Sequence, residues 1–534
     1  MHPLLVVLAL TQQGLWSVDT TFGPTVRGEL TVRRAAMTWS GGGDSVRFVL
    51  GGDSGQFRGE LDAGVIRGFW IQPPGLTLGQ SYATPLELEP AGADSWRATV
   101  VPLPDRLRVY LAIKRRADGT LAATFRDPEQ NSIGAWLEFN VTPDGGGDSL
   151  RFATTNQRRP MTFAAAYDSS ARRIALKWPY FDRIITFRPQ DSSSATGLFP
   201  RLPRGARYHY QAPPALSDGW RTAAARTVGL DEAVLTRLVQ QIADTDPLAP
   251  TAPLIHSLLI ARHGRLVLEE YFAGWRRGDV HDTRSGGKTF ASVMVGAVNL
   301  SPDTKIKGDV TVGNALTHTS GLACDDNDDN SPGNENTMQS QEQQPDWWQY
   351  ILDQPQVYPP GTHYAYCSGG MNLVGYALHR ATGEWIPELF DRTVARPLGF
   401  GRYYYNLMPT LDGYLGGGVR LAPRDLLKLG AAYLNGGTWN GQRIVSADWV
   451  SLSTTTRLDS VVGRDGYAWH IFPIKAGDRT YREYEANGNG GQFLIVVPEL
   501  DLAVVFTGAN YGDGGVWWKW RQQIVGNVIM PAAK

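Results

Sequence analysis

Arg284-Ser285-Gly286-Gly287-Lys288-Thr289 sets a serine and a lysine three residues apart at the head of an amphipathic run. Phe290, Val293, Met294, Ala297 and Val298 recur at i, i+3, i+4, i+7 and i+8. That period predicts a helix with one buried stripe. Residues i and i+3 share a helix face, so the hydroxyl and the amine can meet. A serine hydroxyl becomes a useful nucleophile only when a neighbouring group takes its proton, and an adjacent amine can do so. The spacing alone is weak, because ordinary Ser and Lys usage yields about one or two such matches in a chain of this size.

Four further motifs follow the serine in order. They are His318-Thr319-Ser320-Gly321-Leu322, Pro360-Gly361-Thr362-His363-Tyr364-Ala365-Tyr366-Cys367-Ser368-Gly369-Gly370, Gly416-Gly417-Gly418 running into Leu421-Ala422-Pro423-Arg424-Asp425-Leu426, and Gly488-Asn489-Gly490-Gly491-Gln492. With them the chain resembles the serine β-lactamase and penicillin-binding-protein superfamily, in its class C-like branch. S-x-x-K is the first motif of such proteins. The resemblance covers about residues 208 to 534.

It implies an acyl-enzyme mechanism. Ser285 is the expected nucleophile and Lys288 its activating partner. Burial lowers a lysine pKa, which would expose the neutral amine. Tyr366 matches the tyrosine that shares the base role, and which of the two is the base stays open. Ser368 matches a polar position that contacts the lysine or the substrate. The backbone N–H of Ser285, at a helix start, and that of Gln492, on an edge strand, are the expected oxyanion donors. Asn489, Gly490 and Gly491 stand where a Lys-Thr-Gly substrate strand is expected, the glycines admitting substrate close to the backbone. Asn489 is neither lysine nor histidine, so the substrate carboxylate of β-lactams and D-Ala-D-Ala peptides loses an attracting cation. That favours a neutral ester or amide. The Ser285–His318 stretch is also shorter than the family usually has, which would open the site or leave the serine helix poorly supported.

Other residues have blander readings. Tyr364 rivals Tyr366, but the Cys-Ser-Gly-Gly that follows favours Tyr366. His318 reads as structural. Gly416–Gly418 lacks the lysine and the strand–helix context of a phosphate loop. Asp325-Asp326-Asn327-Asp328-Asp329-Asn330 spaces its first ligands like an EF-hand but lacks the turn glycine, and reads as a solvated specificity loop without metal.

The elements that must position these residues fall into two parts. The chain has 534 residues, more than one ordinary core, with 42% hydrophobic and 19% charged residues and a net charge of −1. Nothing in it favours nucleic acid or an anionic membrane. Residues 12–190 read as an all-β domain, barrel or sandwich, with short alternating runs and an Asp118-Gly119 hairpin signal. Gly41-Gly42-Gly43-Asp44-Ser45-Val46-Arg47-Phe48 is echoed by Gly145-Gly146-Gly147-Asp148-Ser149-Leu150-Arg151-Phe152, and Ile66–Trp70 by Ile174–Trp178. Its aromatics would fill a core, a lipid-sized cavity being the lesser reading.

Residues 191–228, rich in Ser and Pro, read as a linker. Residues 229–534 read as α+β, one antiparallel sheet closed by N- and C-terminal strands and flanked by helices. Pro3–Leu10 fits the apolar part of a signal peptide over residues 1–11, with a buried first strand as the alternative, and no other segment is apolar enough to span a membrane. The two cysteines, Cys324 and Cys367, permit one disulfide in an exported chain, periplasmic or extracellular, or stay as two buried thiols.

The expectation is a cofactor-free serine hydrolase acting on a small-molecule or peptide substrate. Esterase activity comes first, D-alanyl peptidase or β-lactamase activity second. A catalytically silent peptidoglycan- or ligand-binding protein on the same fold is the alternative.

Overall fold

The computed structural model describes residues 14–24, 26–129, 138–144, 148–154, 160–178, 182–459 and 464–534. The signal-peptide segment and Gly145–Gly147 of the repeat lie outside the described residues.

The alternating runs of the first 190 residues form two sheets, not one. Gly14–Thr21, Arg106–Arg115, Leu121–Arg126, Phe139–Asp144, Ser149–Thr154, Thr162–Asp168, Arg173–Lys177 and Ile184–Pro189 make a closed antiparallel barrel. Gly14–Thr21 closes it by pairing with both Arg106–Arg115 and Ile184–Pro189. Period-two alternation sends one side chain in two inward. Phe125 meets Phe139 at 5.5 Å and Phe152 at 5.7 Å between ring centroids, and Trp16 and Phe187 join them. The inner aromatics therefore fill the barrel.

After Thr21 the chain leaves the barrel and builds a second, open sheet. Its order is Gly28–Arg33, Ser95–Val100, Tyr82–Gly92, Val65–Gln72, Gln56–Asp62, Ser45–Val49, Thr38–Ser40. The echoed segments occupy matching places. Ser45–Val49 and Val65–Gln72 flank one strand of the open sheet, as Ser149–Thr154 and Arg173–Lys177 flank one of the barrel.

The remaining chain is α+β. Its long strands run Arg265–Tyr271, Ile255–Arg262, Leu502–Gly508, Gln492–Val497, Arg479–Gly488, His470–Ala476, all antiparallel. Early and late strands thus close one sheet, as the sequence predicts. Gln492–Val497 is buried on both faces, which explains its unbroken apolar run. Phe493, Ile495 and Val497 pack with helix Glu232–Ala243 and the C-terminal residues Trp520, Val525 and Ile529. Leu494 and Val496 face the opposite layer, with helices Lys288–Ala297, Ser368–Thr382 and Pro423–Leu434.

The open sheet is joined to this layer. Phe69, Ile71 and Ala83 belong to the same apolar core as the serine helix. Tyr405–Asn406 pairs with the start of Tyr82–Gly92, with Tyr405 opposite Ala83 and Asn406 opposite Tyr82. Phe69 meets Trp385 edge-on at 5.4 Å. Residues 191–228 are packed as well: Leu198 and Phe199 cover the barrel's Tyr110, and Tyr208 sits in the core of the α+β part.

Candidate active site

Ser285 lies in a 3-10 turn, Arg284–Gly287, that runs straight into helix Lys288–Ala297. The turn is pinned on both sides. Thr283 N–H and Oγ1 donate to Val419 O at 3.0 and 2.8 Å. Arg284 holds φ +49°, a left-handed conformation that costs a non-glycine residue about 1 kcal/mol. Its N–H donates to Asp282 Oδ1 at 2.8 Å, and its carbonyl accepts from Gly418 N–H at 3.1 Å. Close packing demands glycine around this turn. A Cβ on Gly488 would stand 2.3 Å from Thr283 O, and one on Gly417 2.6 Å from Arg284 O.

One helical turn on, Lys288 Nζ donates to Ser285 Oγ at 3.2 Å and also to Gly416 O. The same ammonium lies 4.9 Å from the centre of the Tyr366 ring. Ser285, Lys288 and Tyr366 are thus gathered in one place. Burial works to lower the Lys288 pKa, as the sequence reading expects, but the oxygens of Tyr366, Glu335 and Asp326 outweigh it and the net shift is upward. Lys288 is therefore an ammonium at neutral pH. Tyr366 rests on His318, ring centres 4.5 Å apart at 32°, and His318 Nδ1 accepts from Cys367 N–H at 3.2 Å. Burial lowers the His318 pKa to about 3 and keeps the ring neutral. Tyr364 instead interacts with Asp465.

The Beta-lactamase family model matches residues 256–513. This segment is a beta-lactamase-family domain. Members of that family are typically serine hydrolases. Three solved structures resemble the chain. A penicillin-binding protein homologue from Caulobacter crescentus is 14% identical, covering 52% of this chain and 91% of its own, with a TM-score of 0.42. The penicillin-binding protein of Bacillus halodurans is 17% identical over 50% and 95%, with a TM-score of 0.41. A family VIII carboxylesterase is 19% identical over 48% and 87%, with a TM-score of 0.39.

Within the beta-lactamase-family domain, Cys324 and Cys367 form a disulfide. It ties the loop after His318–Leu322 to the residue following Tyr366. The serine helix is well supported despite the short stretch after it. Phe290 meets Phe390 at 5.3 Å, and Gly296 leaves just enough room for Trp449.

Three expectations change. Gln492 is not on an edge: its strand lies between Arg479–Gly488 and Leu502–Gly508, and its side chain donates to Gly508 O at 2.7 Å. Gly490 and Gly491 abut Tyr511 and Trp520, so their missing side chains make room for aromatic packing rather than for substrate. The strand end beside the serine turn is Asn487–Gly488, with Gly286 packed on the Asn487 backbone. Asn489 is half-buried and its Oδ1 accepts from Gly512 N–H at 2.9 Å. Ser368 is fully buried at the start of helix Ser368–Thr382, where its N–H donates to Asp326 Oδ2 at 2.7 Å, and it does not line the cavity in front of Ser285.

The acidic loop also differs from its reading. Asn327–Asn330 are exposed, but Asp326 turns inward, where it also takes Glu335 N–H at 2.8 Å. Glu335 accepts from Tyr414 Oη at 2.5 Å. The Gly416 carbonyl belongs to the glycine motif, but Asp326 and Glu335, the acidic counterweights of the Lys288 charge, carry no motif of their own. Only the run of acids was visible, and nothing in it marked which one faces in.

Proposed function

We propose that the beta-lactamase-family domain is a serine hydrolase that works through an acyl-enzyme on an ester or amide, esterase-type chemistry first and D-alanyl peptide or β-lactam cleavage second. The observation that carries this reading is the buried Lys288 ammonium 3.2 Å from Ser285 Oγ and beside Tyr366. An ammonium that holds its proton cannot be the resting base, so in this proposal Tyr366 reacts as a phenolate paired with that ammonium, and its oxygen takes the Ser285 proton. The Ser285 oxygen then attacks the acyl carbon, and the carbonyl π pair moves onto its oxygen. Collapse of that oxyanion expels the leaving group, which collects the proton from Tyr366. Water repeats the sequence to release the acid and restore Ser285.

For the oxyanion we assign the N–H groups of Ser285 and Asn489. Among the described residues neither has a protein acceptor. Asn489 follows directly where the strand ends at Gly488, beside the serine turn. It replaces Gln492, which is held inside the sheet.

We read residues 229–534 as the hydrolase unit, 12–190 as the β part and 191–228 as their connection. Export to the periplasm or outside the cell suits the Cys324–Cys367 bridge. Among the described residues no helix is long and apolar enough to cross a membrane.

A fluorophosphonate probe tests the proposal. Labelling that disappears in Ser285→Ala, together with hydrolysis of a p-nitrophenyl ester, supports it. A folded protein that takes no label and cleaves neither esters, β-lactams nor D-amino peptides is instead the silent binding protein.

A further inference from the structure

The cavity in front of Ser285 holds about 440 Å³, and its walls come from two distant parts of the chain. One side is the beta-lactamase-family domain, with Asn336, Gln339 and Tyr414. The facing side is the open sheet, through residues of the segment Pro74–Tyr82 that include Gln80 and Ser81. We propose that the open sheet is a working part of the active site. In this assignment Gln80 hydrogen-bonds the non-reacting part of the substrate, opposite Asn336 and Gln339, so that the enzyme takes short acyl compounds bearing an amide and not plain alkyl esters. The inference rests on the acyl-enzyme reading above and adds the substrate class.

The wall is held in place, as a specificity element must be. Asp105 is buried and accepts from Leu76 N–H at 2.6 Å and Thr77 N–H at 2.8 Å, fixing the bend of the segment from below. At its other end Ser81 O accepts from Leu407 N–H at 2.9 Å, and Tyr82 pairs with Asn406. These bonds stitch the wall to the domain that carries the nucleophile, so the two halves keep their spacing. The polarity follows from side-chain type. Gln80 and Asn336 each offer an amide, and among the described residues that of Gln80 has no protein partner, whereas Gln339 Nε2 already donates to Glu335 Oε1 at 3.2 Å. A carboxamide offers both a donor and an acceptor and matches a substrate amide on both counts. An alkyl chain against the same wall offers those groups no partner.

The test uses the full chain and two p-nitrophenyl esters of nearly equal length, the N-acetylglycinate and the butyrate. The intact protein is expected to favour the N-acetylglycinate in kcat/KM by about tenfold, and Gln80→Ala to remove about three- to tenfold of that preference, the worth of one neutral hydrogen bond. Gln80→Glu, similar in size, tests whether shape alone matters; it should also lose the preference. Equal use of both esters, or a Gln80→Ala variant with unchanged preference, overturns the proposal. If Ser285 takes the fluorophosphonate but neither ester turns over, slowing of labelling by N-acetylglycinamide replaces the rate, and protection equal in Gln80→Ala and the intact protein overturns the proposal. Failure of Ser285 to label at all would instead sink the acyl-enzyme reading beneath it.

Discussion

His318 supports Tyr366 from below: the two rings lie 4.5 Å apart at 32°, and the His318 Nδ1 holds the Cys367 amide next along the chain. A buried neutral imidazole fixes the phenol by contact and without charge. It adds no second cation beside Lys288, which would repel the ammonium that the site keeps. Contact with His318 thus holds the Tyr366 ring where the Lys288 ammonium lies 4.9 Å from its centre.

Removing the proposed nucleophile should stop turnover without unfolding the protein. Ser285 is half-exposed in its turn, and its hydroxyl makes one side-chain bond. Ser285→Ala is expected to lower kcat/KM at least about a thousandfold with Tm unchanged. Ester hydrolysis and thermal melting check it.

Tyr366→Phe should retain the stack on His318 and lose only the oxygen. A loss of about 10²–10⁴-fold in kcat, with little change in KM, is the expected outcome for a missing general base. Lys288→Met should lose comparably. A Tyr366→Phe enzyme with near-normal kcat would place the base elsewhere.

The pH dependence of Lys288 has a definite sign. Its folded pKa is raised above the ordinary 10.5, so its stabilising charge is complete below that value and is lost as pH rises through the folded pKa. The alkaline limb of kcat should therefore fall only above about pH 10. A rate that rises steadily from pH 7 to 10 with the fraction of neutral Lys288 would mean that the amine is the base.

Acid should weaken the fold through His318. Its pKa drops from 6.5 to about 3 on folding, so the unfolded chain binds a proton that the folded one refuses. Stability is complete above about pH 6.5 and falls as pH drops toward 3, by about 2 kcal/mol at pH 5 for this one group. Denaturant melts at pH 7 and 5 should show the loss, and His318→Gln should reduce its slope.

Reducing the Cys324–Cys367 bridge frees a loop spanning a separation of 43 residues. The chain-entropy cost of that freedom is about 4 kcal/mol. Cys324→Ser with Cys367→Ser should lower Tm by several degrees and also slow catalysis, because Cys367 adjoins Tyr366. Equal activity in the reduced and oxidised protein would show that His318 alone positions the tyrosine.

Much of the site was legible because it is local. Ser285 and Lys288 sit one turn apart, so helical period alone brings them together. The apolar period of Glu232–Ala243 and its Asp231 cap, which takes Ala233 N–H at 2.9 Å, follow from residues in contact along the chain. The same holds for the hairpin turning at His263-Gly264, both with positive φ. The motif around Tyr366 reached further, but only through resemblance.

What the linear order of residues determined by itself is the chemistry available and the elements that carry it. It set the serine turn, the pairing partner for its hydroxyl, and strands with one face or two faces apolar. Only the tertiary structure decided which strands lie side by side. Alternation is the same for an edge and an inner strand, so Gln492 moved inside the sheet and Asn487–Gly488 took the place beside Ser285. It also decided the charge of Lys288, because Coulomb attraction from Asp326 and Glu335 depends on distance through space, and neither is near Lys288 in the chain. For the same reason the segment Pro74–Tyr82, some two hundred residues before Ser285, became a wall of the cavity in front of it.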